Sequence, residues 1–530
     1  MTKYTLTIAI VLFFLTCKKA DVVPVNPPTQ NPDPSTQNIK SPKLTTSDVS
    51  NVTTFSGTFG GKIVDSGGSQ ITQFGIVVDT VSKPTVKKNF NKFLVTQHNN
   101  DGTFNLDINY LPSNVTFYIR AYAINVTDTG YGNEVKFTTL TKKIFEGNVN
   151  FTKQQEVVDF GLQHYTNING YLTINGTVSD LTPLLGLSAV NYGFRTINTL
   201  LTNFKGLDSL EITGAFNPGD FWVEGNQNLR DFSGLSKLKT VRGSIQIFGN
   251  NSITNLNDLK SCISVSSDLR IQQCPQLQNI NGLKNLLFVG GDVFIIDDPE
   301  LTDITGLESL STIYGRLYIM NDSKLQNLNG LEKIKTLPEG IQIINNLSLQ
   351  ELSGLSNLSG ICSFMLIDGN PLITDLPFNE ITSVNYVTIQ NCRGLKSLSG
   401  LKNIQSVTNI LHLENDSGLV DLSGIEKLNT VGNLEIVNNA GIINLKGLNG
   451  LTKITQGTYS ISIGGNNSLK SLTGLENITT VFGSVAIYNN PVLSDFCPLK
   501  TLFNNGYHQG FAPDYNAINP SQADIVANCH

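Results

Sequence analysis

Charged side chains are scarce in this chain, and no basic segment stands out among them. Asp, Glu, Lys and Arg make up 15% of the 530 residues, and the formal net charge is −6. A nucleic-acid-binding surface needs clustered Lys and Arg to neutralise phosphates, so nucleic acid is excluded as a predicted partner. The low charge, with abundant Gly, Asn, Leu and Ser, is typical of an extracellular β-rich protein rather than a helical cytosolic enzyme.

Catalytic and metal-binding motifs are also missing. The sequence has no GxSxG, HExxH or P-loop, no CxxC pair and no Cys/His cluster. The five histidines are scattered over different segments: His98, His164, His412, His508 and His530. His412 is expected to be a solvated side chain on the outer side of a strand. The sequence therefore predicts a non-enzymatic protein without a metal ion or a cofactor.

Long apolar runs are absent except near the N-terminus. The run from Leu6 to Leu15 has ten residues, too few to span a bilayer, and it follows Lys3. We interpret residues 1–16 as a signal peptide. The "FLTC" ending resembles a bacterial lipoprotein signal, which implies acylation of Cys17, although Phe14 and Leu15 depart from the usual pattern. The alternative is an ordinary secretory signal followed by an unmodified cysteine.

Residues 17–42 are rich in Pro, Asn and Gln and have almost no large apolar side chains. Such a segment cannot bury enough surface to fold, so it is expected to be a disordered tether to a membrane. Lys18, rather than Asp, follows Cys17. By resemblance to Gram-negative lipoproteins, this favours a lipid anchor in the outer membrane at the cell surface. The sequence leaves open whether the anchored chain faces the outside or the periplasm.

Six cysteines follow Cys17, and an even number in an exported chain permits three disulfides. Cys497–Cys529 is the first candidate because it would close the C-terminal segment into a loop. Two further candidate pairs are Cys262–Cys274 and Cys362–Cys392. The alternative for these four residues is a set of buried free thiols.

Residues 43–140 contain short alternating strands separated by turns, which predict a β-sandwich. The segment "LPSNVTFYIRAYAINVTDTGYGNEVKFTT" resembles the last strands of a fibronectin type III module, as found in surface proteins of Bacteroidota. The resemblance places Leu111, Pro112 and Tyr118 in a tyrosine corner and implies a spacer role. The core tryptophan of that superfamily is absent, since the only tryptophan is Trp222.

A repeat of about 24 residues governs the chain from residue 141 to residue 500. Gly-Leu pairs recur at this spacing, at residues 282–283, 306–307, 330–331 and 354–355. Apolar triplets such as "LRI", "VFI" and "LYI" recur with them, and Asn or Asp follows. One such unit cannot bury its apolar sides alone, so successive units must stack as coils and share a core. Glycine before leucine suits a tight corner, and stacked Asn side chains can satisfy turn amides.

The predicted fold is mainly β: the sandwich followed by a long right-handed parallel β-helix. Its repeat resembles the receptor L domain, a leucine-rich-repeat-like solenoid, although about 13 coils replace the usual handful. A helical cap is expected near residues 152–164, and residues 501–530 are expected to form a C-terminal cap. The pair Asp297-Asp298 is expected to have a structural role in a turn rather than to bind calcium, since the GGxGxD repeat is missing.

The outward side chains of the predicted strands are mostly polar, but those of three neighbouring strands are not. Because side chains alternate along a strand, one face receives the following residues, which we name the apolar patch: Phe294, Ile296, Tyr318, Met320 and Ile344. Phe248 lies on the same face. A contiguous exposed patch of this kind usually marks a contact site. The alternatives are coverage by another part of the chain, dimerisation, or a shifted register.

These observations predict a non-catalytic surface lipoprotein that recognises or adheres to an extracellular protein or matrix ligand through the solenoid. Capture of a glycan for nutrient uptake is the first alternative, since Tyr318 and Phe294 could stack on sugar rings. A carbohydrate-active β-helix enzyme is the second. It would require carboxylates clustered across neighbouring strands, and the sequence alone does not assemble such a cluster. Self-association through the apolar patch is a further possibility.

Overall fold

The computed structural model describes residues 39–54, 56–108, 111–215 and 219–529. The predicted signal peptide, Cys17, most of the predicted tether and His530 lie outside these residues. The chain divides into two units, Met1–Thr141 and Lys142–His530. Lys40, in the segment predicted to end the tether, is hydrogen-bonded within the first unit, where its N–H donates to the Gly67 carbonyl at 2.9 Å.

The first unit consists of two antiparallel sheets. Its strands are β1 (Lys43–Thr46), β2 (Gly57–Asp65), β3 (Gln73–Asp79), β4 (Asn91–Val95), β5 (Thr103–Ile108), β6 (Thr116–Ile124), β7 (Thr129–Tyr131) and β8 (Val135–Thr138). One sheet has the order β1-β2-β5; in the other, β4-β3-β6-β7 form a row and β8 also pairs with β6. Both sheets contribute to one buried cluster that includes Phe59, Phe104 and Phe117. Tyr118 lies half-buried on the other side of β6, near the Lys136 amine.

The second unit is a parallel β-solenoid of about 15 turns, with coils about 24 residues apart, which confirms the predicted stacking. The sequence predicted about 13 coils. Its eight-stranded sheet contains β9 (Ile144–Glu146), β11 (Asn167–Asn169), β13 (Ala189–Val190), β15 (Ile212–Thr213), β17 (Thr240–Val241), β19 (Ser264–Val265), β21 (Phe288–Val289) and β23 (Thr312–Ile313).

The long sheet has eighteen strands and carries the predicted triplets. They are β10 (Val149–Phe151), β12 (Tyr171–Asn175), β14 (Gly193–Ile197), β16 (Phe221–Glu224), β18 (Ile245–Phe248), β20 (Leu269–Gln272), β22 (Val293–Ile296), β24 (Leu317–Met320), β25 (Ile341–Ile344), β26 (Ser359–Asp368), β27 (Glu380–Gln390), β28 (Ser406–Glu414), β29 (Thr430–Val437), β30 (Lys453–Ile454), β31 (Tyr459–Gly464), β32 (Thr480–Val481), β33 (Ser484–Tyr488) and β34 (Phe511–Asp514). Because β34 pairs with β33, the sheet continues past residue 500 into the segment predicted to be only a cap.

Helical turns are few and stand mainly at the corners and ends of the solenoid. The α-helices are α1 (Gln154–Gly161), α2 (Lys500–Asn504) and α3 (Gln522–Asn528). Helix α1 falls within the predicted N-terminal cap, and its Val157 is buried. Single 3-10 turns occupy Thr182–Leu184, Asn257–Leu259, Asn281–Leu283, Thr305–Leu307, Ser353–Leu355, Ser399–Leu401 and Cys497–Leu499. Among the described residues, no helix has the length and apolar character needed to cross a membrane.

The glycine of the Gly-Leu pairs is required by the close approach of the preceding coil. A Cβ atom on Gly282 would lie 1.5 Å from the Leu256 carbonyl oxygen, and one on Gly400 would lie 1.4 Å from that of Leu376. Neither position has room for a side chain, so the coils can stack at this corner only through glycine. The leucine that follows, such as Leu283, is fully buried in the core.

A ladder of mostly buried side chains closes the turns after the long-sheet strands from β16 to β34, except the two-residue strands β30 and β32. The side-chain Oδ1 of Asn250 accepts from the Asn226 N–H at 3.0 Å, and that of Asn370 accepts from the Asn346 N–H at 3.0 Å. This turn ladder consists of Asn226, Asn250, Cys274, Asp298, Asp322, Asn346, Asn370, Cys392, Asp416, Asn439, Asn466, Asn490 and Asn516. It satisfies amides that the sheet leaves unpaired, as the sequence predicted.

The cysteines fall into two groups. Cys497 and Cys529 are joined by a disulfide. Cys262, Cys274, Cys362 and Cys392 are free and buried, so the predicted pairs Cys262–Cys274 and Cys362–Cys392 are wrong.

The four free thiols serve the coils as small core residues. Cys262 lies beside the Ser264 carbonyl of its own coil, whereas Cys274 and Cys392 each fill a position in the turn ladder. Burial raises the pKa of the Cys262, Cys274 and Cys392 thiols to about 12, so the reactive thiolate is suppressed.

Candidate recognition face

Strands β22, β24 and β25 of the long sheet alternate between core and surface. In β24, Leu317 and Ile319 are fully buried, whereas Tyr318 and Met320 are half-buried on the outer side. Strands β22 and β25 pair with β24 in register, so Phe294 lies beside Tyr318, and Ile296 and Ile344 flank Met320. The register is therefore the predicted one, and the five residues of the apolar patch lie on three adjacent strands.

The aromatic part of the patch is a stack along the solenoid axis. The rings of Phe294 and Tyr318 lie 4.5 Å apart at an interplanar angle of 8°. The Arg270 guanidinium covers the ring of Phe294 at 3.8 Å from its centroid and is itself paired with Asp268 at 2.8 Å. The ring of Phe294 therefore has the Arg270 guanidinium on one face and the Tyr318 ring on the other. In this geometry the ring edges, rather than the ring faces, point away from the sheet.

Phe248, the sixth predicted site residue, is separated from the patch. Gln272 of β20 lies between Phe248 and Ile296 in the register of the sheet. Phe248 is half-buried, and Glu224 is its other neighbour along the sheet. The structure therefore brings together five of the six predicted residues. Phe248 lies on the same face but is separated from the patch by one strand, β20.

The outer face carries further apolar groups that sequence reasoning missed. Leu366 lies half-buried on β26, separated from Tyr318 by Gln342. Phe364 and Tyr386 contact each other at 5.7 Å, and Tyr386 is exposed. The triplet "MLI" at residues 365–367 could have revealed Leu366, since it follows "IQI" by 24 residues.

A second group of exposed apolar side chains lies next to the strands of the eight-stranded sheet. Ile263 and Leu287 are exposed on neighbouring coils, where the Leu287 N–H donates to the Ile263 carbonyl at 2.9 Å. Tyr314 is exposed as well, and its ring lies 5.6 Å from that of Phe288. The sequence analysis followed only the longer strands and did not identify this group.

On β28 and β29, the outward positions that correspond to those of the patch carry mainly polar and charged side chains. His412 Nδ1 lies 2.8 Å from Glu435 Oε2, and its Nε2 lies 3.2 Å from Glu414 Oε2. The hydrogen bond with Glu435 raises the pKa of His412, and the same bond lowers the pKa of Glu435. The prediction of a solvated His412 is therefore wrong, because both ring nitrogens are engaged by carboxylates of its own and the next strand.

Metal chemistry finds no support in the part of the chain that the structure describes. No group of three or more His, Cys, Asp or Glu side chains in residues 39–54, 56–108, 111–215 and 219–529 could hold a metal ion. Asp298 of the predicted turn pair is fully buried in the turn ladder, whereas Asp297 is half-buried beside it. The Asp297 carboxylate accepts from Asn321 Nδ2 at 2.8 Å. The pair therefore belongs to the hydrogen bonding of the turns.

Comparisons with known proteins place the chain in no family. No family model matches it, and no curated protein matches it. Among solved structures, it is similar to the sensor domain of the anti-sigma factor RsgI4 from Pseudobacteroides cellulosolvens at 12% identity, over 19% of this chain and 98% of that chain. The TM-score is 0.15, so this similarity carries no argument about fold or function.

Proposed function

We propose that this protein is a non-catalytic recognition or adhesion protein whose solenoid binds an extracellular protein through the apolar patch. The observation that carries the proposal is the packing of Phe294, Ile296, Tyr318, Met320 and Ile344 on three paired strands. Aromatic residues and methionine are enriched at the centres of protein interfaces, where they supply large contact areas. The residues beneath them already form a complete core, so the patch is not needed to fill it.

Two further features would suit such a role. The fibronectin type III resemblance of residues 43–140 would make the first unit a spacer, and acylation of Cys17 would anchor the chain to the outer membrane. Both belong to the proposal. Palmitate labelling of the expressed chain tests the anchor: incorporation that is lost in Cys17→Ser supports it, and equal labelling of both chains contradicts it.

Glycan capture is less well supported by the geometry of the patch. Sugar rings stack on the faces of aromatic side chains, but Arg270 and Tyr318 lie against the two faces of Phe294. An open groove elsewhere on the solenoid, of about 430 Å³, has no aromatic side chain in its lining. That groove is lined by Arg230, Asp231, Ser252, Thr254, Asn255 and Gln276. A protein ligand fits the flat patch better than a polysaccharide does.

One specific observation favours the enzymatic alternative. Glu414, Glu435 and His412 interact across neighbouring strands, which is the kind of cluster that a carbohydrate-active enzyme would need. However, two ionised carboxylates can both accept from His412 only when each ring nitrogen carries a proton, and an imidazolium of this kind has no lone pair with which to accept a further proton. This cluster is therefore better suited to holding the two strands together.

The experiment that tests the proposal measures binding of the full chain to a panel of extracellular proteins, such as collagen and fibrinogen, and of polysaccharides, such as starch and xylan. We expect a protein ligand whose affinity falls at least tenfold in a Phe294→Ser, Tyr318→Ser double variant. Circular dichroism establishes that this variant is folded. A polysaccharide ligand would favour the first alternative, and turnover of a polysaccharide that is lost in Glu435→Gln would favour the second.

A matched control lies three strands further along the same face. Thr388 and Gln390 occupy the outward positions of β27 that correspond to Tyr318 and Met320 of β24. A Thr388→Ser, Gln390→Ser variant should bind as the unchanged chain does. Equal losses of binding in the two double variants would contradict recognition by the apolar patch.

A further inference from the structure

Apart from Cys274 and Cys392, the turn ladder contains two kinds of side chain, asparagine and aspartate, at equivalent positions. At its Asn positions, the side-chain oxygen accepts from a backbone N–H of the preceding coil, and Nδ2 donates to a buried carbonyl of that coil. Asn346 Nδ2 donates to Ile319 at 3.0 Å, and Asn370 Nδ2 donates to Ile343 at 2.8 Å. The same bond is made by Asn250, Asn439, Asn466, Asn490 and Asn516.

Three positions of the ladder hold aspartate instead. Asp298, Asp322 and Asp416 each accept a backbone N–H through Oδ1, at 2.8 to 2.9 Å, as asparagine does. The second oxygen, Oδ2, takes the place of the asparagine Nδ2 and is buried without a hydrogen-bond partner. All three side chains are fully buried. An ionised Oδ2 would face carbonyl oxygens that asparagine satisfies elsewhere, and two acceptors repel each other.

We infer that Asp298, Asp322 and Asp416 are neutral carboxylic acids in the folded chain near neutral pH, each with a proton on Oδ2 that replaces the asparagine N–H donor. The protonated carboxyl has one donor and one acceptor in the positions where asparagine has them. The solenoid thereby contains three buried proton-binding sites. This inference does not depend on the proposed function.

The surroundings of Asp298 and Asp322 agree with neutral carboxyls. The two residues occupy consecutive coils, so two ionised carboxylates would stand about one strand spacing, ~4.8 Å, apart in a buried site. The other titratable groups that face them are Cys274 of the preceding coil and Asp297 beside Asp298, and neither supplies a positive charge. Burial raises the pKa of Asp298 to about 8 and that of Asp322 well above its usual range.

The surroundings of Asp416 are more mixed. The imidazole of His412 favours an ionised carboxylate there, whereas Asp368 and Glu414 disfavour it, and Cys392 donates its backbone N–H. Burial outweighs these contributions and raises the pKa of Asp416 to about 8. Asp416 therefore has the same neutral state as the pair, but it can be tested separately from it.

Neutral carboxyls have a defined consequence for stability against pH. The folded chain keeps a proton that the unfolded chain releases above pH ~4, so the stabilisation is complete below that pH and is lost as the pH rises through the raised pKa, which is about 8 for Asp298 and Asp416. Over this window, each neutral carboxyl makes the unfolding equilibrium constant rise about tenfold per pH unit. Above the folded-state pKa, its contribution no longer changes with pH.

The experiment compares unfolding of the full chain with an Asp298→Asn, Asp322→Asn double variant and with Asp416→Asn, between pH 5 and pH 7.5. Each replacement installs the residue that the ladder uses elsewhere, so the variants should fold. We expect the unfolding constant of the unchanged chain to rise more steeply with pH than that of each variant, by up to about tenfold per unit for each carboxyl removed. Parallel pH dependences would overturn the inference.

Two further measurements keep the result specific. Asp297→Asn removes a half-buried carboxylate beside the ladder, a smaller cause of the raised pKa values than burial, so this variant should keep a pH dependence clearly steeper than that of the double variant. The infrared spectrum of the unchanged chain at pH 6, minus that of the double variant, should contain the carbonyl band of a protonated carboxyl. Carboxylate bands in that difference, or a stabilisation of the unchanged chain by added calcium that the double variant lacks, would show ionised side chains and would also overturn the inference.

Discussion

Two stretches of the solenoid are built alike on the inside and differently on the outside. Strands β22, β24 and β25, which we name the apolar stretch, and strands β27, β28 and β29, the polar stretch, bury aliphatic side chains at the same inward positions. On the outside, the apolar stretch presents the patch, whereas the polar stretch presents side chains such as Thr388, His412 and Glu435. Stacking of the coils therefore dictates the inside and leaves the outside free to differ.

This difference bears directly on function. Strands β27 and β28 of the polar stretch carry polar side chains at the outward positions that Tyr318 and Met320 occupy in β24, so a coil of this solenoid needs no apolar side chain at those positions. The tyrosine and methionine of β24 are therefore not explained by the fold, and recognition of a partner is the role we propose for them. If this comparison is correct, substitutions of inward residues should have equal effects in the two stretches, and substitutions of outward residues should have unequal effects.

The largest expected effect on the free energy of unfolding comes from replacing a core residue, and it should be the same in both stretches. Ile319 of the apolar stretch and Ile389 of the polar stretch are fully buried at equivalent positions. Replacing either with alanine should lower the free energy of unfolding by about 2–5 kcal/mol, because a cavity remains in the core. Chemical denaturation of the two variants measures this. A clearly smaller effect at Ile389 would show that the polar stretch is packed differently.

The next effect concerns the corner glycines, which both stretches share. In Gly282→Ala, the added Cβ would meet the Leu256 carbonyl, and in Gly400→Ala it would meet that of Leu376. Both variants should lose at least the ~1–3 kcal/mol of an overpacked core, because backbone rather than a flexible side chain stands in the way. Thermal unfolding measures the loss. A neutral effect at Gly400 would contradict the close approach of the coils.

A smaller effect on stability depends on pH and arises from His412 of the polar stretch. The raised pKa of His412 means that its ion pairs stabilise the folded chain fully below pH ~6.5 and less as the pH rises through the raised value. The lowered pKa of Glu435 keeps that partner ionised throughout this range. His412→Gln should remove a contribution of about 1–2 kcal/mol at pH 6 and less at pH 9. An equal loss at both pH values would show that only packing is involved.

The smallest expected effect on stability is at the patch itself. Tyr318→Ser removes a half-buried ring that stacks on Phe294, so the free energy of unfolding should fall by only about 1 kcal/mol. The variant Thr388→Ser provides the matched change in the polar stretch and should be nearly neutral. Denaturation of both variants checks this. A loss at Tyr318 as large as that of Ile319→Ala would mean that the patch serves the fold and not a partner.

Much of the second unit could be predicted from the sequence because its period is visible. A regular spacing of 24 residues places Phe294 beside Tyr318 and Asn346 beside Asn370 simply by counting along the chain. The His412–Glu435 contact was available from the same register, since both residues are outward on successive strands. The prediction treated His412 alone and so missed it.

Other features could not be predicted because their causes are not periodic. The first coils vary in length, since the paired residues Phe194 and Phe221 are 27 positions apart, and this hides them from a search for 24-residue spacing. Whether Cys262 and Cys274 can form a disulfide depends on where each thiol lies around the coil. The extra strand β34 follows a helical segment that interrupts the repeat. Each of these features is set by contacts in three dimensions rather than by local pattern.

Oxidation of the methionines tests the central claim most directly. Met320 is half-buried in the patch, whereas Met365 is fully buried at an inward position of β26 and serves as an internal control. Mild peroxide followed by mass spectrometry should oxidise Met320 of the free chain well before Met365, and a bound protein ligand should protect Met320. Equal resistance of the two methionines in the free chain would show that the patch is already covered and would contradict a surface open to a partner.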